Sequence, residues 1–301
     1  MTMGAQPRLD ERAGQKSDAP AAGRVDAGPP VARRGTIVRR GHGATRREWA
    51  AAGQRVLRIV SPLFLFAIWE ALSRAGVLDR RFFPPPSEIL ESAIAMAQGG
   101  QLADSVGASL RRLAIGYAIG ALAGTVVGLW LGLSTWSRAL LEPWLLLTYP
   151  IPKLAIFPLL VLVVGVGEPP IIILLSVTVF YIVVWNAMAG VVAIKPVIMD
   201  VGRDCNATFL QSVVTIALPA SAPHILTGLE VALGLAYIVL VAVEFVGAQS
   251  GLGHVIWSSW QLFDVAPMYV AIMTISLLGY VSVLALRAIG NVLVPWRASR
   301  R

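Results

Sequence analysis

Charge is scarce in this 301-residue chain. Asp, Glu, Lys and Arg make up 14% of it, against about a quarter in an ordinary soluble domain, which argues against a water-soluble globular fold. A single cysteine, Cys205, excludes an internal disulfide and any cysteine-cluster metal site. Histidine occurs only at 42, 224 and 254, and no apolar block pairs one with carboxylates, so a metal or nucleophilic centre has nothing to build on. The Gly-x-x-x-x-Gly-Lys-[Ser/Thr] phosphate loop is missing, and any ATP hydrolysis has to come from a separate chain. The expectation is a protein without cofactor, metal or catalytic residue, and not an enzyme.

Apolar sequence is abundant. Hydrophobic residues are 56% of the chain and the mean hydropathy is +0.70. Crossing about 30 Å of hydrocarbon takes about 20 apolar residues at about 1.5 Å each. Six blocks qualify, near 56–73, 113–133, 139–164, 170–192, 229–247 and 268–293. The fold class expected is therefore all-α, a polytopic membrane protein of about six transmembrane helices.

The net charge of +8 is unevenly placed. Residues 1–55 hold 11 of the 25 Lys/Arg and 5 of the 17 Asp/Glu, a net of +6; the rest holds 14 and 12, a net of +2. The tail is Ala, Gly, Pro and Arg without apolar periodicity. It reads as a disordered basic segment whose physical partner is anionic lipid, not as a nucleic-acid-binding domain, unless translation starts further on. Residues 56–301 form the membrane domain. Lys/Arg placement puts both termini in the cytoplasm, with Arg138, Lys195 and Arg203 in cytoplasmic loops and none in the outer connections 165–169 and 247–266. Arg74, Arg80, Arg81, Arg111 and Arg112 are exceptions around the long first outer loop. That loop contains Phe82-Phe83-Pro84-Pro85-Pro86-Ser87, with Ser87 a candidate N-cap for a helix over 88–96.

Three features inside the spans point beyond simple crossing. Gly116, Gly120, Gly124, Gly128 and Gly132 recur every fourth residue and make a flat ridge, for packing within one subunit or for self-association. Tyr149-Pro150-Ile151-Pro152-Lys153 breaks the third block, because two prolines remove two backbone donors. Lys153 there is either a snorkelling lysine at a packing kink or part of a pathway. Glu230 and Glu244 lie 14 residues apart in the fifth block, about 21 Å along the helix and within about 40° of one face. Gly234, Tyr237 and Val241 lie between them on that face. The stripe suits a water-lined surface, the alternative being helix-end charges at the two interfaces. Thr178, Tyr181 and Trp185 make a second candidate face.

Between the fourth and fifth blocks lies a polar stretch, residues 194–228, too long for a plain connection. Val197, Ile198, Val201 and Cys205 share one face of a first short helix, with Asp200, Arg203 and Asp204 opposite. Phe209, Leu210, Val213, Val214 and Ala217 share a face of a second. Asn206 between them can take the left-handed backbone that ends a helix, and Ile216-Ala217-Leu218-Pro219 closes the stretch, since Pro219 cannot continue a helix interior. A helix–turn–helix finger between spans suits docking to a soluble partner.

This arrangement resembles the cytoplasmic coupling loop of ABC-importer permeases of the binding-protein-dependent class. Their pattern is Glu-Ala-Ala, three residues, Gly, nine residues, Ile-x-Leu-Pro. Here Asp200-Val201-Gly202 stands at Glu-Ala-Ala, Asn206 at the Gly, and Ile216, Leu218 and Pro219 at the close. The opening departs from the pattern while the spacing and the end hold. Likeness extends from about Phe82 to the C-terminus. It is nearest the nitrate/sulfonate/taurine group, which shares the Pro-Ser helix entry and a Glu (here Glu244) ahead of Ser250-Gly251-Leu252-Gly253. The resemblance implies a homodimer in a bacterial inner membrane and two ATP-binding cassette ATPase subunits docked on the finger. It also implies an external binding protein that delivers a small molecule. A self-contained secondary transporter is the alternative, although such folds show two halves with matched broken helices, and the Pro pair of the third block has no later counterpart.

Overall fold

The computed structural model describes residues 60–61 and 63–295. The basic tail 1–55 and the start of the first apolar block lie outside the described residues. Among the described residues the chain is all helix and loop, without a strand. The helices are α1 (residues 63–74), α2 (Pro86–Gln98), α3 (Gln101–Leu133), α4 (Thr135–Thr148) and α5 (Lys153–Val164), followed by α6 (Glu168–Val192), α7 (Pro196–Asp204) and α8 (Phe209–Gln211). A π turn, Ser212–Ala217, leads into α9 (Leu218–Gly247), and α10 (Leu252–Gln261) and α11 (Val265–Leu293) complete the chain. By length and composition four helices can cross a membrane: α3, the continuous run Phe209–Gly247, α6 and α11. The pair α4 and α5, bent by 96° at its break, makes a fifth if it counts as one span. Of the six blocks of the sequence, the described residues thus give four spans, or five with the bent pair, the first block being only partly described.

The glycine ridge of α3 decides the packing. A methyl group built on Gly116, Gly120, Gly124, Gly128 or Gly132 would come within 3.0 Å of the Cβ of Leu175, Val179, Val183, Ala187 or Val191 in turn. Both rows advance by four residues together, so α3 and α6 run parallel, backbone close to backbone. The ridge is filled from within the chain and leaves no face for self-association. Contacts of Gly228 with Asn186 and of Gly190 with Ser221 set α9 antiparallel to α6. The Tyr237–Ser282 hydrogen bond and the Glu230–Arg287 ion pair set α11 antiparallel to α9. Thus α3, α6 and α11 run one way and α9 the other. The C-terminal ends of α3, α6 and α11 share one end of the bundle with the finger α7–α8. The N-termini of α6 and α11, the C-terminus of α9 and the short helix α10 share the other.

Leu174, Leu175, Val179 and Val183 of α6 are buried against Ala232, Ala236, Leu240 and Val243 of α9. The outward surfaces stay apolar: Leu122, Leu162, Val163, Ile238 and Leu277 are each more than half exposed, tolerable where lipid tails replace water. Ser87 differs from its expected role. The helix starts two residues earlier, at Pro86, with Pro85 as its cap residue. The Ser87 N–H and hydroxyl instead donate to the Glu70 carboxylate at 3.0 and 2.9 Å, tying α1 to the start of α2, where a carboxylate meets the positive end of the helix dipole.

The ridge is testable by two alanines. Gly128→Ala would set a methyl 2.6 Å from the Val184 carbonyl and from the Ala187 Cβ, whereas Gly234 has nothing within 4 Å. Gly128→Ala should lower the thermal unfolding midpoint in detergent, an overpacking cost of about 1–3 kcal/mol exceeding the helix-propensity gain of about 1 kcal/mol. Gly234→Ala should hold or raise it. Equal midpoints for the two variants would contradict the tight contact.

Candidate functional site

Asn206 turns the finger. Its φ is +52°, the left-handed region that β-branched residues strongly resist. The Ala207 N–H donates to the Gly202 carbonyl at 3.0 Å, closing the six-residue loop of a Schellman motif with Asn206 as its left-handed residue. Thr208 then starts the second arm with a capping box: its hydroxyl accepts from the Gln211 N–H, and its own N–H donates to the Gln211 side chain. Gly202 joins the arms, since a methyl there would lie 2.6 Å from Ile216 Cδ1. The departure from Ala at this position of the resembled pattern is thus matched by a close packing contact.

The second arm does not stop at Pro219 as the sequence suggests. Pro219 lacks the N–H that the Thr215 carbonyl would accept in α register. In a π turn a carbonyl takes its N–H from one residue further on, and Ser212–Ala217 adopts this form. The arm is therefore continuous with the fifth block as one helix of 39 residues, Phe209–Gly247. The apolar faces of both arms point outward. Val197 is 71% exposed, Val201 58%, Phe209 59% and Leu210 70%, while Ala217 is buried beneath them against Ala187, Val191 and Ile225.

At the break, α4 ends at Thr148 and α5 begins at Lys153. The Lys153 ammonium donates to the Tyr149 carbonyl and lies 4.7 Å from the centre of the Tyr149 ring and 5.1 Å from that of Tyr181. The Tyr181 hydroxyl donates to Thr148 Oγ1 at 2.6 Å, which staples the break to α6. Lys153 and Tyr181, separate candidates in the sequence, are brought together. Thr178 is absorbed differently: its hydroxyl returns to the Leu174 carbonyl of its own helix.

The stripe on α9 is split by its neighbours. Glu230 pairs with Arg287 of α11 at 2.9 Å. Gly234, Tyr237 and Arg287 line a groove of about 420 Å³ between α9 and α11, with Tyr237 hydrogen-bonded to Ser282 at 2.8 Å. Glu244 does not belong to an open face. It is fully buried, because α10 folds back over it and α3 covers its other side. Its oxygens accept from Arg112 Nη1 at 2.7 Å, from the Ser109 hydroxyl at 2.9 Å and from the Gly253 N–H at 2.8 Å. Arg112, read from the sequence as an exception in an outer loop, is 2% exposed and uses all five of its donors. Nη1 also reaches the Ser250 carbonyl at 2.6 Å, Nη2 reaches Glu168 and Ser250 Oγ, and Nε reaches Glu168 at 2.9 Å. Gly251, at φ +109°, lies against this pair, and a methyl there would sit 2.6 Å from Arg112 Nη1. The Ser-Gly-Leu-Gly segment is thus the lid of an ion cluster. The signal in the sequence was Glu244 standing just ahead of it; the cation, 132 residues away, had none.

Removing one member of a buried pair leaves an uncompensated charge and costs about 3–5 kcal/mol. Arg112→Gln should therefore be the most destabilising change here. Glu244→Gln should be milder, about 1–3 kcal/mol, because its amide sets a donor against a donor while Arg112 keeps Glu168. Arg111→Gln, whose side chain is 63% exposed beside Glu168, should cost about 1 kcal/mol or less. Thermal unfolding of the three variants in detergent checks the order, and an Arg112→Gln no worse than Arg111→Gln would contradict the cluster.

Over residues 119–293 the chain matches the family described as binding-protein-dependent transport system inner membrane component. It is 32% identical over 254 residues to the taurine transport system permease protein TauC of Escherichia coli (strain K12), covering 83% of this chain and 92% of that one. It is 28% identical over 262 residues to the putative aliphatic sulfonates transport permease protein SsuC of Bacillus subtilis (strain 168), covering 87% and 93%. It is 29% identical over 195 residues to the nitrate import permease protein NrtB of Leptolyngbya laminosa, covering 65% and 67%. In fold it is similar to a chain of the MetNI methionine ABC transporter solved in inward-facing conformations. The TM-score is 0.51 at 19% identity, covering 64% of this chain and 94% of that chain. With the family match spanning more than half of its length and a relative of 32% identity along 83% of it, the chain belongs to the inner membrane components of binding-protein-dependent transport systems.

Proposed function

We propose that this chain, an ABC-importer permease subunit, pairs with a second copy and forms a pathway for a small molecule of the nitrate, sulfonate or taurine kind. An external binding protein delivers the molecule. Two ATP-binding cassette subunits dock on the finger through Asp200, Val201, Gly202 and Asn206 and the arm from Phe209 to Pro219, with Ile216 and Leu218 at its base. The observation that carries the proposal is the finger itself: two short apolar faces held outward at the end of the bundle by a left-handed Asn206. Apolar faces that water would disfavour, fixed in one geometry, suit a protein partner.

Orientation supports the same reading. Arg138 and Lys195 lie at the finger's end of the bundle, and the loops 165–167 and 248–251 at the other end carry no Lys or Arg, so the finger end is cytoplasmic. Arg74, Arg111 and Arg112, three of the exceptions, are held in ion pairs with Glu70, Glu168 and Glu244. The described C-terminal end of α11 shares the cytoplasmic side. Motion imposed on the finger has a direct route, because its second arm is the start of the helix that ends under the ion cluster. Phe209–Gly247, 39 residues and roughly 58 Å at the α-helical rise, joins the docking face to the outer end. Tyr237, Tyr181, Lys153 and Glu230 remain the candidates along the pathway. Glu244 acts at its outer end by holding α3, α6, α9 and α10 in register.

Asn206 tests the docking. Asn206→Gly should keep uptake and ATPase binding, since Gly takes the left-handed backbone freely. Asn206→Val should abolish both while membrane accumulation stays at the wild-type level, because a β-branched residue resists that backbone. Uptake assays with co-purification of the ATPase subunits measure this, and equal behaviour of the two variants would overturn the role of the turn.

A further inference from the structure

Among the described residues of the spans, the basic side chains differ in how fully they are partnered. Arg112 has all five donors occupied and two carboxylates beside it. Arg111 and Arg287 each have a carboxylate within 4.0 Å. Lys153 has none: its ammonium meets one carbonyl and two aromatic rings. One of its three N–H groups is used by the Tyr149 carbonyl, which leaves capacity for an anionic acceptor.

Its depth makes this costly. Tyr181, over whose ring the ammonium lies, is 13 residues after Glu168 and 11 before Val192 in α6. That is roughly 20 Å from one end of the span and roughly 17 Å from the other. The ammonium is therefore near the middle of the membrane, and a lysine stem is much shorter than the roughly 15 Å to either interface. A cation held there faces an interior or a water-filled path rather than lipid. The two rings stabilise it through their faces without neutralising it. The Pro150 and Pro152 break supplies the space, and the Tyr181–Thr148 hydrogen bond fixes the break against α6.

The geometry points to Lys153, framed by Tyr149 and Tyr181, as the group that recognises the anionic end of the transported molecule at mid-membrane, so that the permease selects small oxyanions. This deepens the proposed function and rests on it. The ammonium supplies the missing countercharge and a charge-assisted hydrogen bond to a sulfonate or nitrate oxygen. The tyrosine rings keep it in place when the path is empty.

The test uses the complete transporter, permease with its ATPase and binding protein, in ATP-loaded proteoliposomes, with labelled taurine, ethanesulfonate and nitrate as probes. Wild type should import at least one of them. Lys153→Met keeps an apolar stem of similar bulk and should cut that uptake on the order of tenfold to a hundredfold, the weight of one charge-assisted hydrogen bond. Basal ATP hydrolysis and the amount of assembled transporter should stay unchanged. Lys153→Arg, which keeps the charge, should retain most of the uptake. Wild-type uptake by Lys153→Met overturns the inference and leaves the importer reading standing. A loss of uptake matched by lost assembly or basal ATP hydrolysis, or equally severe in Lys153→Arg, assigns Lys153 to the frame of the break and also overturns it. No import of any probe by wild type overturns the functional reading, and the inference with it.

Discussion

The close parallel contact between α3 and α6 governs the rest of the architecture. Five glycines at steps of four let two backbones approach where side chains would separate them, and in lipid such close approach has to supply association that the hydrophobic effect does not. Parallel neighbours cannot be joined by a short turn. The chain between them has to return across the bundle, and the only segment available is α4–α5, residues 135–164. It returns as a broken element bent by 96°, and the break brings Tyr149 and Lys153 against the middle of α6. The position of a charge deep in the span thus follows from the direction in which two helices pack.

Polar satisfaction shapes the outer end. Arg112 and Glu244 are tolerable away from water because each is surrounded by partners from other segments: Ser109 from α3, Glu168 from the start of α6, and Ser250 and Gly253 from the lid. A fully connected network of this kind fixes one arrangement of its elements, since any shift leaves a charge unpaired in a low dielectric. The glycines of the lid are there for space and for a left-handed backbone at Gly251. The finger end is held by the opposite means, local backbone motifs and one glycine contact, with its apolar faces left uncovered. One end of the bundle is closed on itself and the other leaves apolar faces exposed, with α9 running between them.

Much of this was readable without coordinates. The apolar blocks, the double-proline break, the glycine ridge and the turn at Asn206 are each set by a few neighbouring residues. Helical period, a missing N–H and steric access to positive φ act over a turn or two of chain, so spacing alone reveals them. The same local logic misled at Pro219. A missing donor reads as a helix end, whereas a π turn absorbs it and keeps the helix running. Ser87 reads as a cap, whereas Glu70 from the preceding helix engages it.

The role of Glu244 depends on partners far along the chain. Its spacing from Glu230 predicts one shared face of α9, yet Glu230 meets Arg287 of α11 whereas Glu244 meets Ser109 and Arg112 of α3. Which part of the face stays open is decided by α10 and by Arg112, 132 residues away, neither of which leaves a periodic trace in the sequence around Glu244. Likewise the glycine row announced a close contact but not whether α6 or a second copy would fill it, and the proline pair announced a break but not what Lys153 would meet there. The sequence by itself determined the membrane class, the family pattern of the finger and the places where helices bend or approach, because those rest on local backbone chemistry. Tertiary structure decided which charges are paired, which faces are covered and which groups surround Lys153, because those depend on contacts between segments brought together only by folding.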